Sequence, residues 1–203
     1  MQTIRTKAGE NYLTESEEKK LFNHLKRLKD KQAERDFVLL KTCRLLALRR
    51  REALALNVGD VFGATSLEID EHIAAKGAVG SLSIPVELQD ILQRFLKLKR
   101  KWGEDMTDDA PLFVSKKGNR LALRTFNDLV DKWCREAGVE RITPHGLRHT
   151  KGRRIMDDVR HLNEEERDKK LLLANRQLRH KSMTATLIYT APTKEEMEKV
   201  GAL

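Results

Sequence analysis

Apolar side chains recur at helical spacing through most of this chain, and only between residues 66 and 84 does the period shorten to that of strands. Thr14 and Glu17 form a capping box ahead of Leu21, Phe22, Leu25 and Leu28. A second apolar helix is predicted over 35–48, and a short third one over 50–56 that ends before Gly59-Asp60. Ser66–Ile69, His72–Ala75 and Val79–Ile84 read as three short strands, with turns around Lys76-Gly77 and Gly80. Pro85 then opens a helix carrying Leu88, Ile91, Leu92, Phe95, Leu98 and Trp102. Pro111–Val114 leads into a KKGN turn, and Phe126, Leu129, Val130, Trp133 and Ala137 predict a helix closed by Gly138. Thr143-Pro144 reads as the N-cap and first turn of a helix through HGLRHT, and the remainder is helical, with Thr193 and Glu196 as a last capping box. No repeat or low-complexity linker interrupts the pattern. The expected fold is a single domain, mainly α with a small antiparallel β-sheet (α+β).

The 203 residues are 39% hydrophobic and 35% charged, enough for one core beneath a highly charged surface, and the formal net charge is +9. Twelve basic and six acidic residues fall between Arg141 and Thr190, so much of the excess is local. Such a balance suits a polyanionic partner, nucleic acid first; the plain alternative is solubility. Aromatics at 5% disfavour a base-stacking platform for single strands, and with it an RNA-binding module. The longest apolar runs, such as Phe37–Leu40 and Leu171–Ala174, are far short of a membrane span, and MQTIRTKAGE lacks the apolar stretch of a signal peptide. Cys43 and Cys134 lie in apolar-periodic segments and read as buried free thiols of a reducing compartment, which points to the cytoplasm.

Four stretches carry chemistry-bearing residues. In LRRREALALNVGD Arg49 precedes Glu52 by three; AAKGAVGSLSIP puts Lys76 at a turn. TPHGLRHT sets His145 and Arg148 three apart on one helix face, and LRHKSMTATLIYT places His180 nine residues before Tyr189. Each is weak alone, because His24 and Arg27 also spell His-x-x-Arg on the polar face of the first helix. The order and spacing of all four carry the weight.

That ordered set resembles the active-site signature of the tyrosine recombinase, or phage integrase, family. The likeness extends to YLTESE, to PLFVSKKGNRL and to the helix ending at Gly138, from about Tyr12 to Tyr189. It implies the family's catalytic-domain fold and site-specific recombination of double-stranded DNA through a 3′-phosphotyrosyl intermediate. Four subunits would act on two duplexes, with accessory DNA-bending proteins as further partners and no membrane. Tyr189 would be the nucleophile; the other tyrosine, Tyr12, has no basic cluster near it in sequence. Arg49 and Arg148 would bind the non-bridging oxygens, since guanidiniums stay charged and bond in a fork. Glu52 would support Arg49 and so favours it over Arg50 and Arg51. Lys76 would protonate the leaving 5′ hydroxyl, His145 would accept the tyrosine proton or bind phosphate, and His180 would donate to a phosphate oxygen. His149 and His161 read as structural. His145 and His149 have metal-ligand spacing, but Gly146 stands where a metalloprotease has Glu, so neither a metal nor another cofactor is expected. A type IB topoisomerase-like activity and a non-catalytic DNA-binding regulator would suit the same fold.

Three departures stand out. Ala47 and Arg179 replace glycines of the family pattern, which implies that left-handed turns there are remodelled. RHLNEEERDKK reads as a charged insertion between Arg148 and His180. Only about thirteen residues precede the first helix, too few for the helical DNA-clamping domain most members carry. The expectation is an N-terminal tail over 1–12, a catalytic domain over 13–190 and a helical tail over 191–203 able to dock on a neighbour. The chain is then either an isolated catalytic domain or a short recombinase similar to fimbrial-switch invertases, with weak DNA binding.

Overall fold

The computed structural model describes residues 11–74, 79–159 and 162–179. Helices α1 (Glu15–Arg27), α2 (Lys31–Leu46) and α3 (Arg50–Ala55) precede strands β1 (Ser66–Ile69) and β2 (Gly80–Ser83). Helices α4 (Val86–Lys101), α5 (Leu123–Glu136), α6 (Pro144–Val159) and α7 (Glu164–Leu178) follow. The Thr14–Glu17 capping box forms as expected. Helix α2 starts earlier than its apolar pattern, because the Asp30 carboxylate accepts from the N–H groups of Gln32 and Ala33.

Helix α2 is the centre of the molecule. It packs against α1, α3, α4 and α6 and is buried on several faces, from Phe37 and Leu40 to Val38 and Leu39. Its buried polar groups are paired: Asp36 accepts from Arg35 and from the Trp133 indole at 2.9 Å, and Arg44 meets Glu18 at 3.0 Å. Cys43 and Cys134 are buried free thiols, and burial pushes the thiol of Cys134 up to about 11. A smaller apolar cluster joins Ala47 at the end of α2 to Met156, Val159, Leu171, Ala174 and Leu178 of α6 and α7.

The expected sheet is smaller than its sequence pattern. Among the described residues it has two antiparallel strands, with Leu67 opposite Leu82 and Ile69 opposite Gly80. The strand expected at His72–Ala75 is not formed over its described part, residues 72–74, which lie in and after a turn. The Asp70 carboxylate accepts from the N–H groups of His72 and Ile73, and its carbonyl from Ala74, so a local Asx turn takes the donors a ladder needs. Ala75 lies outside the described residues.

The stretch that looks like a charged insertion is mostly helix. Asn163 caps α7 by accepting from the Glu166 N–H, and Glu164, Glu165 and Glu166 occupy the first turn, where the helix dipole favours acids.

Helix α6 is fixed at its start by a contact from far along the chain. Asn11 donates to the Thr143 hydroxyl at 2.7 Å and accepts from the Thr143 N–H at 3.0 Å. Gly146 lets this approach happen, since a Cβ there would fall 2.5 Å from Asn11 Oδ1 and 2.9 Å from Ile142 Cβ. Gly146→Ala is therefore expected to cost about 1–3 kcal/mol in urea unfolding through overpacking. A loss below about 0.5 kcal/mol would show that the Asn11 clasp gives way freely.

Candidate active site

Three helix ends meet at one place: the C-terminus of α2, the N-terminus of α6 and the C-terminus of α7. Two of them end in left-handed residues that are not glycine, Ala47 with φ 52° and Arg179 with φ 46°. The expected remodelling does not occur. Both turns keep the left-handed conformation, at about 1–2 kcal/mol each for an L-residue, because neighbouring groups hold their carbonyls.

Arg148 is the holder. It is 1% exposed, with Nη1 donating to the Ala47 carbonyl at 2.6 Å and Nη2 to the Leu178 carbonyl. Its charge thus lies across the negative C-terminal ends of two helices, which compensates for its burial.

Arg49 stands beside it at the N-cap of α3. Its Nη1 donates to Glu52 Oε1 at 2.8 Å and its Nη2 to the Arg179 carbonyl at 3.2 Å. Glu52 is fully buried, and its Oε2 accepts from the Arg49 N–H at 2.7 Å and from Arg179 Nη2. Burial pushes the Glu52 carboxyl up, but the Arg49 N–H, the Arg179 charge and the Arg49 side chain together hold it below the usual carboxylate range. Arg50 instead donates to Asn127 at 2.8 Å, so Glu52 pairs with Arg49 and not with this neighbour.

His145 lies in the first turn of α6, one helical turn before Arg148, with its ring 4.3 Å from that of the buried His149. It is solvent-accessible at the wall of a groove, yet surrounding protein lowers its pKa below the ordinary value, and the Arg148 and Arg49 charges act in the same direction. The imidazole is accordingly neutral at neutral pH. The groove has a volume of about 1120 Å³, and Arg49, Arg50, Arg51, Arg141, Asn127 and His145 are among its lining residues. Arg141 is paired with Asp131 at its edge. Arg148 lies behind this wall rather than on it.

The structure brings together Arg49, Glu52, His145 and Arg148. Lys76, His180 and Tyr189 lie outside the described residues, as do His161 and the expected Thr193–Glu196 capping box. The decoy pair His24 and Arg27 sits away from the site on α1, and His24 meets Glu136 there. Tyr12, without basic neighbours in sequence, has the Arg153 guanidinium 5.8 Å above its ring. Among the described residues no group of His, Cys, Asp and Glu could hold a metal.

Two arginines have structural roles that the sequence reading does not assign. Arg120 donates from Nη1 to the Leu54, Ala55 and Leu56 carbonyls at 2.8, 2.8 and 3.0 Å, capping the C-terminus of α3 and so fixing the helix that starts at Arg49. Arg179 ties α7 to α3 through Glu52. Sequence offered a signal for the second alone: a bulky residue at an expected glycine.

The Phage integrase family model matches residues 11–196. Tyrosine recombinase XerS of Streptococcus pyogenes serotype M5 (strain Manfredo) is 26% identical over 191 residues, covering 93% of this chain and 50% of that protein. Its counterpart in Streptococcus uberis (strain ATCC BAA-854 / 0140J) is 27% identical over 184 residues, 89% of this chain and 48% of that one. The chain therefore spans about half the length of the curated relatives it matches. Of solved structures, XerA recombinase superposes with a TM-score of 0.71 at 21% identity, over 94% of this chain and 62% of that one. XerH site-specific recombinase bound to a palindromic difH substrate gives 0.72 at 23%, over 97% and 54%. These likenesses establish the tyrosine recombinase catalytic-domain fold, mainly α with a small antiparallel sheet. With the family model spanning almost the whole chain, and residues 49, 52, 145 and 148 meeting at one groove, the chain belongs to the phage integrase family.

Proposed function

We propose that this chain is the catalytic unit of a site-specific DNA recombinase. The observation that carries the reading is the convergence of Arg49, Glu52, His145 and Arg148 from α3 and α6 at the wall of one arginine-lined groove. A duplex backbone laid there meets fixed positive charge, and Arg49 and His145 are the two of the four that reach the groove.

In this mechanism the Tyr189 oxygen attacks the scissile phosphorus and the bond from phosphorus to the 5′ oxygen breaks. The tyrosine proton passes to neutral His145, and Lys76 gives a proton to the departing 5′ oxygen. Arg49 stabilises the charge that builds on the non-bridging oxygens, the buried Arg148 adds its positive charge from behind the groove wall, and His180 donates to one of those oxygens. A 5′ hydroxyl of the partner duplex reverses the step, so the bond energy is retained in the phosphotyrosine. Residues 13–190 form the catalytic domain on this reading, and 191–203 a tail that docks on a neighbour within a tetramer on two duplexes. Accessory DNA-bending proteins complete that assembly, and it works in the cytoplasm. No helix among the described residues is long and apolar enough to cross a membrane.

The test is covalent capture. Nicked duplexes with a randomised core, incubated with the protein and denatured in detergent, are expected to give an adduct with wild type and none with Tyr189→Phe. No adduct from wild type, or one that survives Tyr189→Phe, overturns the reading and leaves a non-catalytic DNA-binding regulator. Strand exchange between two duplexes separates recombination from topoisomerase-like resealing of one.

Two further outcomes are specific to the site. Arg49→Ala is expected to lower adduct formation by about 100-fold or more, while Arg50→Ala stays within about threefold of wild type. Equal losses would place both arginines merely on the DNA backbone. Because the pKa of His145 is held below its ordinary 6.5, the cleavage rate should be flat through neutral pH and fall only on acidification below that value. His145→Gln should remove this acid limb from a single-turnover pH profile. Persistence of the limb in that variant would assign the titration to another group.

A further inference from the structure

We infer that Arg179 is a positioning residue for the recombinase site: it neutralises Glu52 and fixes its orientation, so that the charge of Arg49 is left for the phosphate. The inference rests on the reading of Arg49 given above and extends it to a residue outside the signature.

The placement of Arg179 is unfavourable unless something repays it. Its backbone is left-handed, with φ 46° and ψ 48°, a conformation L-residues avoid. Its side chain is 6% exposed, and its Nε and Nη1 atoms are buried without an acceptor among the described residues. Glu52 is the carboxylate that answers this charge, through Nη2 at 2.5 Å. The aliphatic stem lies against the start of β2, where Arg179 Cδ is 3.9 Å from the position of a Cβ on Gly80. One residue thus joins the end of α7, the start of α3 and the base of the hairpin that carries Lys76 in sequence.

The charge balance gives this bridge a chemical consequence. Arg49 with Glu52 alone is a neutral pair, whose field at a phosphate is weak. Arg179 makes it a cluster of two guanidiniums on one buried carboxylate, with a net charge of +1. Geometry points the same way. Glu52 Oε2 is shared between the Arg49 N–H and Arg179 Nη2, which stops the carboxylate from rotating, and Oε1 is left to orient Arg49 Nη1. The Arg179 carbonyl holds Nη2 of the same guanidinium, so Arg49 is fixed from both sides by one residue.

The test compares single-turnover adduct formation at saturating nicked duplex with duplex affinity, for Arg179→Gly, Arg179→Lys, Arg179→Gln and Arg179→Gly combined with Glu52→Gln. Arg179→Gly is expected to slow the step by about tenfold or more with affinity within about twofold, the usual scale for a residue acting through a catalytic one. Arg179→Lys, which keeps the charge, should outpace Arg179→Gln, and removing the Glu52 charge should restore part of the rate lost in Arg179→Gly. A purely structural role would not produce that recovery. Equal rates for Lys and Gln at position 179, a loss confined to affinity, or no gain in the double variant overturns the inference while the recombinase reading stands. If Arg179→Gly fails to fold, the Lys and Gln pair decides alone. Absence of any wild-type adduct removes both.

Discussion

The guanidinium of Arg148 lies across the ends of two helices, and the rest of the site is arranged around that contact. It bonds the carbonyl that closes α2 and the last carbonyl of α7, the two turns whose left-handed residues lack the freedom of glycine. Carbonyls at a helix C-terminus have no partner within their own helix and carry partial negative charge. A buried cation satisfies both needs at once, and the helices in turn make its burial tolerable. Its neighbour Arg49 bonds the next carbonyl along, that of Arg179, so adjacent peptide groups of one turn orient both arginines.

The same device recurs away from the groove. Arg120 caps the end of α3 with three carbonyl contacts, while Glu52 closes its start on the Arg49 N–H. The short helix that bears Arg49 is thus fixed at its end by long-range contacts and at its start by a buried capping bond, rather than by a long run of helical hydrogen bonds. Beneath it, α2 supplies the rigid floor, with paired charges at Asp36 and Arg44 inside an otherwise apolar core. Side chains placed on such a floor need little ordering when a ligand binds, which is the physical use of preorganisation.

Much of this architecture was legible in the residues themselves. The Thr14–Glu17 box, the strand Ser66–Ile69 and the helix starting at Pro144 form where the pattern places them. The spacing of Arg49 to Glu52 also separated that arginine from Arg50. The failures share one cause, a short polar side chain redirecting the backbone. Asp70 folds residues 72–74 into a turn despite an apolar Ile73, and Asp30 begins α2 ahead of its apolar stripe. Apolar periodicity is insensitive to such local bonds, because it records burial rather than hydrogen bonding.

The sequence by itself determined the helical class, the basic excess and the ordered residues of the family signature. These depend on the period and identity of side chains, which do not change when the chain folds. Tertiary structure decided how the charges are used. Sequence marks Arg148 and Arg179 without saying what they bond; folding buries one on two helix ends and sets the other against a fully buried glutamate. It also kept the left-handed turns at Ala47 and Arg179, because contacts made by residues 101 and 127 positions away outweigh the local backbone preference.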